Sequence, residues 1–290
     1  QLSDAPDVIG RIQAANELCK TGKAANIRAV GEAYKKERFW GVRCDMATAL
    51  GKAKSEAALE VCLEIAAEEN DPMVLATSLR ALGNFRDFRV RELLEKRLEA
   101  GLPPLAAAAA YEGLGAQREN APLKLLTKAA KTKSLHFFAH AGAMRGLAAT
   151  RDKSAGDTLK ALTPHGAGPL RSRAASFDAL AGWGRNLSQR KKAQYRETLE
   201  DILRDPMERM RLRAAGALGS LGDPAAVAAV SALLPNVPQQ SRVSLEETIK
   251  GLRKSGDGSD ASKLEKRVEE LEDERRKLED RLRKLEEKLG

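Results

Sequence analysis

The sequence predicts an all-α protein, with a solenoid of stacked helix pairs over residues 1–254, a flexible linker over 255–261 and a coiled-coil helix over 262–290. Composition is the first observation behind this. The 290 residues are 42% hydrophobic and 31% charged but only 4% aromatic. A core short of aromatic bulk is built from Leu, Ala and Val, which suits thin helical layers better than one large globular core. A leucine-anchored frame that recurs through the first 254 residues is the second observation. A heptad pattern at the C-terminus is the third.

In the segment Arg43 to Gly51, Arg43 lies seven positions before Leu50, Ala47 lies three before it, and Gly51 follows directly. Similar frames are anchored at Leu18, Leu50, Leu82, Leu114, Leu147, Leu180, Leu218 and Leu252, in steps of 32, 32, 32, 33, 33, 38 and 34 residues. Positions −7, −3 and 0 share one stripe of an α-helix. Arg fills −7 at Arg11, Arg43, Arg173 and Arg211, and Gly follows the anchor at Gly51, Gly83, Gly115 and Gly219. Those glycines are expected to end the first helix of each unit in a left-handed conformation. A second apolar stripe follows, as in Ala57, Leu59 and Leu63, or Ala225, Val227, Val230 and Leu233.

Each unit is thus two antiparallel helices of about 12 residues. Such a pair cannot cover both its faces and must stack on its neighbours. Asn70-Asp71-Pro72 and Arg204-Asp205-Pro206 mark turns between units. The 38-residue step is expected to hold a longer inter-helix loop around Trp183 to Gln189. The whole is closest to a HEAT-type α-α solenoid of about eight repeats. Leucine-rich and ankyrin repeats lack support, because their strand and TPLH signatures are missing. A 34-residue tetratricopeptide array is nearest in period but wants bulky aromatic knobs that this chain does not have.

Beyond Leu252, Ser255 to Asp260 reads as a flexible break. Ser262-Lys-Leu-Glu265 has capping-box spacing. Leu264, Leu271, Leu278 and Leu285 fill heptad position d, while Val268, Arg275, Leu282 and Leu289 fill a. Nearly four heptads predict a coiled coil, and Leu at every d favours a homodimer.

The chain offers no catalytic constellation. His136-Phe-Phe-Ala-His140 puts two imidazoles four apart, as zinc peptidases do, but Phe137 stands where a catalytic Glu is needed and no third ligand follows. His140 also falls in the −7 slot, so a packed or surface role is expected. Trp40 and Trp183 are expected to pack between units. Gly113-Leu-Gly115 lacks a preceding strand, and His165 has no nucleophile beside it. No metal, cofactor or catalytic residue is expected in this chain. Cys19, Cys44 and Cys62 form no CxxC pair and are expected to be buried thiols of a reducing compartment, which with the lack of a membrane-length apolar run points to the cytoplasm. Starting at Gln1 without Met, the chain reads as a fragment or processed product.

Charge is concentrated. Between Asn120 and Arg196 lie 15 Lys/Arg against three acids, an excess of 12 that exceeds the +9 of the whole chain. Lys124, Lys128, Lys131, Lys133, Arg145, Arg171, Arg173, Arg190, Lys191 and Lys192 form the candidate basic surface. On one concave face these bases would attract an acidic protein or, as a lesser alternative with so little aromatic interleaving, nucleic acid; spread over both faces of the repeats they are simply a solvated surface, which is the first expectation.

Two segments are more specific. Ala5-Pro6-Asp7-Val8-Ile9-Gly10-Arg11 with Ala14, Ala15 and Leu18, and Phe39-Trp40-Gly41-Val42-Arg43 with Ala47, Ala49, Leu50, Gly51 and Lys52, resemble the opening of the C-terminal helical-repeat region of microbial aminopeptidase N-type (gluzincin) zinc metallopeptidases. The likeness holds by motif over about the first 90 residues and then thins to repeat spacing. It implies a zinc site on a preceding domain, since the HExxH helix, its downstream Glu and the Gly-x-Met-Glu-Asn motif are not in this sequence. It also implies a non-catalytic module that packs over a catalytic domain of the same polypeptide and shapes substrate access. The alternative is a free-standing scaffold for an acidic protein.

Overall fold

The computed structural model describes residues 7–132, 137–167, 170–256 and 275. Fifteen α-helices and no strands occur among the described residues. The chain divides into two compact units, Gln1–Leu221 and Gly222–Gly290.

The first unit holds six helix pairs and a thirteenth helix. The first members are α1 (Val8–Lys20), α3 (Trp40–Ala53), α5 (Pro72–Leu82), α7 (Pro104–Ala116), α9 (Phe138–Thr150) and α11 (Leu170–Gly184), followed by α13 (Glu208–Leu221). The second members are α2 (Ala24–Lys36), α4 (Glu56–Glu68), α6 (Phe88–Glu99), α8 (Leu123–Lys131), α10 (Lys153–Ala161) and α12 (Gln189–Ile202). Their starts are written in the sequence. Ser55, Asp71, Asp87 and Asp152 cap α4, α5, α6 and α10 by accepting backbone N–H groups, and Pro72 and Pro104 sit in first turns where no amide partner is lost.

Each odd-numbered helix packs on the next odd-numbered helix, so these seven form one layer. The even-numbered helices cover them. The anchors Leu50, Leu82, Leu114, Leu147, Leu180 and Leu218 are wholly buried, whereas Leu18 in the outermost repeat is only half-buried.

The glycines of the frame do something other than end helices. Gly51, Gly115 and Gly219 lie inside α3, α7 and α13, and Gly83 follows α5 at φ −60°, a right-handed value. Three of them, Gly51, Gly83 and Gly115, let backbones come close, and a Cβ on Gly83 would stand 2.8 Å from the Gly113 Cα. A Cβ on Gly115 would stand 2.0 Å from the Gly146 carbonyl oxygen, and one on Gly51 would stand 2.8 Å from Ala81 Cβ. Gly142 and Gly146 of α9 meet Ala108 and Tyr111 of α7 as closely, at 2.4 and 2.3 Å. No side chain fits there.

The −7 slot stitches the two layers together. Arg11 pairs with Glu37 at 2.7 Å, Arg43 with Glu69 at 2.8 Å and Arg173 with Asp205 at 2.8 Å, each linking an odd helix to the end of the following even helix. His140, in the same slot, donates from Nε2 to the Ala130 carbonyl at the end of α8. Its packing role is as expected from sequence, and His136 lies outside the described residues. Trp183 packs between repeats, its Nε1 donating to the Asp152 carbonyl at 3.0 Å and its ring meeting Tyr195 edge-on at 4.9 Å. Trp40 differs: it is 48% exposed.

The extra residues of the 38-residue step do not form a long loop. Only 185–188 separate α11 from α12, and the added residues are spread in ones and twos over the end of α11, α12 and the turns on either side of α12. The Trp183 ring, clamped against Gly156 and Tyr195, holds the end of α11 in the packed layer.

In the second unit, a 3₁₀ turn (Pro224–Ala226) precedes α14 (Val227–Ser231), a further 3₁₀ turn (Leu234–Asn236) and α15 (Gln239–Gly256). The stripe from Ala225 to Leu233 reads from sequence as one helix, but Pro224, Pro235 and Pro238 lack the amides that a longer helix needs. Val230, Leu245, Ile249 and Leu252 are among its buried apolar residues. Ser255 and Gly256, assigned from sequence to the linker, lie in the last turn of α15. The expected coiled coil lies outside the described residues except for Arg275, which is helical and exposed.

Two measurements test this account. Gly146→Ala is expected to lower the urea unfolding free energy by about 2 kcal/mol through overpacking. Gly216→Ala, where a Cβ meets nothing within 4 Å, is expected to be neutral or stabilising by up to about 1 kcal/mol. The second concerns Asp205. Burial, the largest influence, pushes its pKa up, but the Met207 amide and the Arg173 guanidinium together hold it below the usual carboxylate value. A carboxyl lowered by folding stabilises at neutral pH and loses that contribution as pH falls through its folded value. Asp205→Asn is therefore expected to be less stable than wild type at pH 7 and to lose less stability on acidification below about pH 4, while Arg173→Ala costs about 3 kcal/mol at pH 7 by leaving a buried charge unpaired.

Candidate functional site

Four residues beyond each leucine anchor, the chain turns from an odd helix towards its partner. This position is left-handed in five of the frames: φ is 67° at Gly22, 49° at Lys54, 56° at Arg118, 61° at Arg151 and 71° at Gly222. Glycine takes that conformation without cost, whereas a side chain there costs about 1 kcal/mol. The outer frames use Gly. Inside, the same position carries Lys54, Arg86, Arg118 and Arg151, spaced 32, 32 and 33 residues apart. Arg86 has an ordinary negative φ within the longer α5–α6 turn.

Stacking brings these four residues to one open cavity of about 610 Å³. Its floor is made of small residues, Gly83, Ala116, Ala148, Ala149 and Gly182, with Asn84 and Asn186 as neutral polar groups and Trp183 at one end. Lys54, Arg86 and Arg151 are exposed and Arg118 is half-buried. No carboxylate lines the cavity, and none of the four cations is ion-paired among the described residues. Burial, then the neighbouring Arg151 and Arg86 guanidinium groups, pull Arg118 below the usual arginine value, with Glu119 opposing them. Like charges lining one trough repel one another, and that repulsion adds to burial in lowering Arg118.

The basic surface read from the sequence is dispersed in the fold. Lys124, Lys128 and Lys131 are exposed on α8, and Arg190 and Lys191 are exposed at the start of α12. Arg145 is paired with Glu112 at 2.5 Å. Arg173, 3% exposed, is the structural partner of Asp205, and Lys192 is 8% exposed. Lys133 and the Arg171 side chain lie outside the described residues. Arg151 alone of the 15 basic residues in that span lines the cavity. The missed residues, Lys54, Arg86 and Arg118, were visible as a period of 32 at the fourth position after each anchor, a stride that counting charge along the chain does not sample.

At the opposite ends of the same helices, Ile9, Trp40, Met73, Leu105 and Phe138 stand exposed in the first turns of α1, α3, α5, α7 and α9. Cys19 and Cys62 are buried, with burial raising their thiols to about 11 and about 12, so both stay protonated; Cys44 is half-buried. Among the described residues no group of three or more His, Cys, Asp or Glu could hold a metal, and no helix is long and apolar enough to cross a membrane.

Two family models match the chain: HEAT repeats, over residues 1–83 and 27–115, and the PBS lyase HEAT-like repeat, over residues 210–234. The chain carries HEAT repeats. Similar solved structures include human deoxyhypusine hydroxylase in complex with glycerol, 19% identical over 87% of this chain and 93% of that one, with a TM-score of 0.39. Another is the complex of CpcE and CpcF of phycocyanin lyase from Nostoc sp. PCC7120, 19% identical over 77% of this chain and 93% of that one, with a TM-score of 0.48. A comparison with curated proteins finds no match. HEAT repeats thus account for the leucine frame, and the cation row is a feature set upon it.

If the cations serve a ligand rather than the fold, glycine should replace them without harm. Lys54→Gly and Arg118→Gly are each expected to leave the thermal unfolding midpoint unchanged or to raise it, by up to about 1 kcal/mol in stability. A loss greater than that would give these side chains a structural role.

Proposed function

We propose that this chain is a non-catalytic HEAT-repeat scaffold that holds an acidic segment of a protein partner in the cavity lined by Lys54, Arg86, Arg118 and Arg151. The observation that carries the reading is the row itself: four cations at one frame position, none paired with an acid among the described residues, two of them left-handed arginines where glycine would be easier. Nucleic acid is the weaker fit. Single strands are held by bases stacked on aromatic rings beside the cations, and Trp183, the aromatic residue of this cavity, is 7% exposed with its ring engaged by Gly156 and Tyr195.

The peptidase reading is compatible with the scaffold but adds a parent domain. The likeness of the segments at residues 5–18 and 39–52 to aminopeptidase N-type proteins favours it, while the matching family models describe the repeat and name no peptidase. The row can be tested for an acidic ligand without deciding between them. Self-association through residues 262–290, which the heptad pattern favours, is a separate proposal.

Exposed ion pairs contribute about 0.2–1 kcal/mol each, so four together give a modest, salt-sensitive grip. The triple variant Arg86→Glu/Arg118→Glu/Arg151→Glu is expected to weaken binding of an acidic peptide at least roughly tenfold, about 1.4 kcal/mol, with unchanged helical circular dichroism. Wild-type affinity is expected to fall as salt rises from about 50 to 300 mM. If Arg190→Glu/Lys191→Glu abolished binding and the triple variant did not, the surface read from sequence would replace the cavity as the site.

A further inference from the structure

Resting on that reading, we propose that the partner's segment is recognised through a phosphorylated side chain, held by Arg86, Arg118 and Arg151 in the cavity. Phosphorylation of the partner then switches the contact on. The three arginines come from successive repeats and line the same cavity, and Arg118 in the middle is half-buried while its two neighbours are exposed. Both neighbours are near enough to act on its charge. Elsewhere in the first unit Arg11, Arg43, Arg89, Arg173 and Arg213 each pair with an acid. Arg86, Arg118 and Arg151 have no ion pair among the described residues.

Charge decides between the two kinds of acid. A carboxylate brings one negative charge on two oxygens, which a single arginine fork occupies. Answering three guanidinium groups with carboxylates takes several acids in one small volume, where they repel one another. A phosphorylated Ser, Thr or Tyr brings about 1.5 to 2 negative charges on three acceptor oxygens. Those oxygens accept from more than one guanidinium at once, so one group relieves the repulsion on both sides of Arg118. All three positions carry Arg, whose planar fork matches phosphate oxygens in pairs, whereas Lys54, one repeat before Arg86, is a point charge.

The walls suit such a group. No Asp or Glu lines the cavity, and the floor residues Gly83, Ala116, Ala148 and Ala149 carry nothing that would hold a ligand away from the guanidinium groups. Reaching from Lys54 to Trp183 with about 610 Å³, the cavity has room beyond a phosphate for the peptide that bears it, and Asn84 and Asn186 offer amides to that peptide's backbone. A nucleic acid offers only diesters, with one charge apiece. The charged groups at the cavity are Lys54, Arg86, Arg118 and Arg151, with Glu119 acting on Arg118 from the adjoining turn, and no histidine lines it. Arginine, lysine and carboxylate side chains keep their charge between about pH 5.5 and 7.5. The phosphate alone titrates there, near pH 6, so binding weakens as pH falls through that value.

The test uses the full chain at about 50 mM salt and tetramethylrhodamine-labelled probes read by fluorescence anisotropy. Three ten-residue peptides share one Gly/Ala/Gln sequence and carry phosphoserine, serine or Glu-Glu at the centre. The fourth probe is a ten-nucleotide oligouridylate. The phosphoserine peptide is expected to bind at least tenfold tighter than the serine peptide and at least threefold tighter than the Glu-Glu peptide. Its affinity is expected to fall at least threefold from about pH 7.5 to 5.5, with the Glu-Glu peptide unchanged. Arg118→Lys, which keeps the charge but not the fork, is expected to erase most of the preference for phosphoserine over Glu-Glu. Equal affinity for these two peptides, lost for both in the Arg86→Glu/Arg118→Glu/Arg151→Glu variant, would overturn the phosphate assignment and leave the acidic-partner scaffold standing. Tighter binding of the oligouridylate than of every peptide, or no peptide binding at all, would overturn both. So would inorganic phosphate that displaces the phosphoserine peptide as well as its unlabelled copy does.

Discussion

Close backbone contact between successive odd-numbered helices is the constraint on which the rest of this molecule depends. Gly115, Gly142 and Gly146, with the alanines of α7 around them, remove the side chains that normally hold helices apart. With that bulk gone, the distance between neighbouring repeats is set by main-chain contact, which varies less than the packing of flexible side chains. Whatever sits at a fixed place in the frame is then repeated in space at a nearly fixed interval. Leu anchors become a continuous core. Arg11, Arg43, His140 and Arg173 become a line of ties between layers. Residues at the turns become a row on the surface.

The ties and the row show how the same chemistry takes opposite roles through its surroundings. Arg173 is 3% exposed, faces Asp205 and the Thr163 carbonyl, and is part of the fold. Arg118, 55 residues earlier in sequence, faces other arginines across a cavity. A buried cation with its acid satisfied is inert towards ligands, whereas an unmatched one among its like stores repulsion that an anion relieves. The same layer of helices thus displays an apolar series at one end, from Ile9 to Phe138, and a cationic series at the other.

The all-helical repeat was legible because its signals are local. Anchors at a regular stride, Pro after Asp at the turns and Arg at −7 each report on a neighbourhood within one or two turns of helix. The role of the glycines was not legible, because a glycine after a leucine reads equally as a helix end or as a contact, and only the neighbouring helix decides. The turn after α11 was misjudged for a related reason: Trp183 looked like part of an insertion until Gly156 supplied the space for its ring. The basic span from Asn120 to Arg196 misled most. A window along the chain mixes residues from both helices of each repeat, so Arg145 and Arg173, already bound to acids, were counted with Lys124 and Arg190, which are not. Sampling one position per repeat isolates Lys54, Arg86, Arg118 and Arg151.

The left-handed turn gives the cation row an evolutionary property. Because glycine and arginine occupy the same backbone conformation at Gly22, Arg118, Arg151 and Gly222, exchanging them leaves the helices on either side where they are. Codons for glycine and arginine differ by a single base. A lineage can therefore lengthen, shorten or interrupt the charged row one repeat at a time, by point mutation, without crossing a barrier of misfolded intermediates. Ligand preference in such a protein can drift or be selected at a rate set by the partner, while the scaffold beneath it stays unchanged.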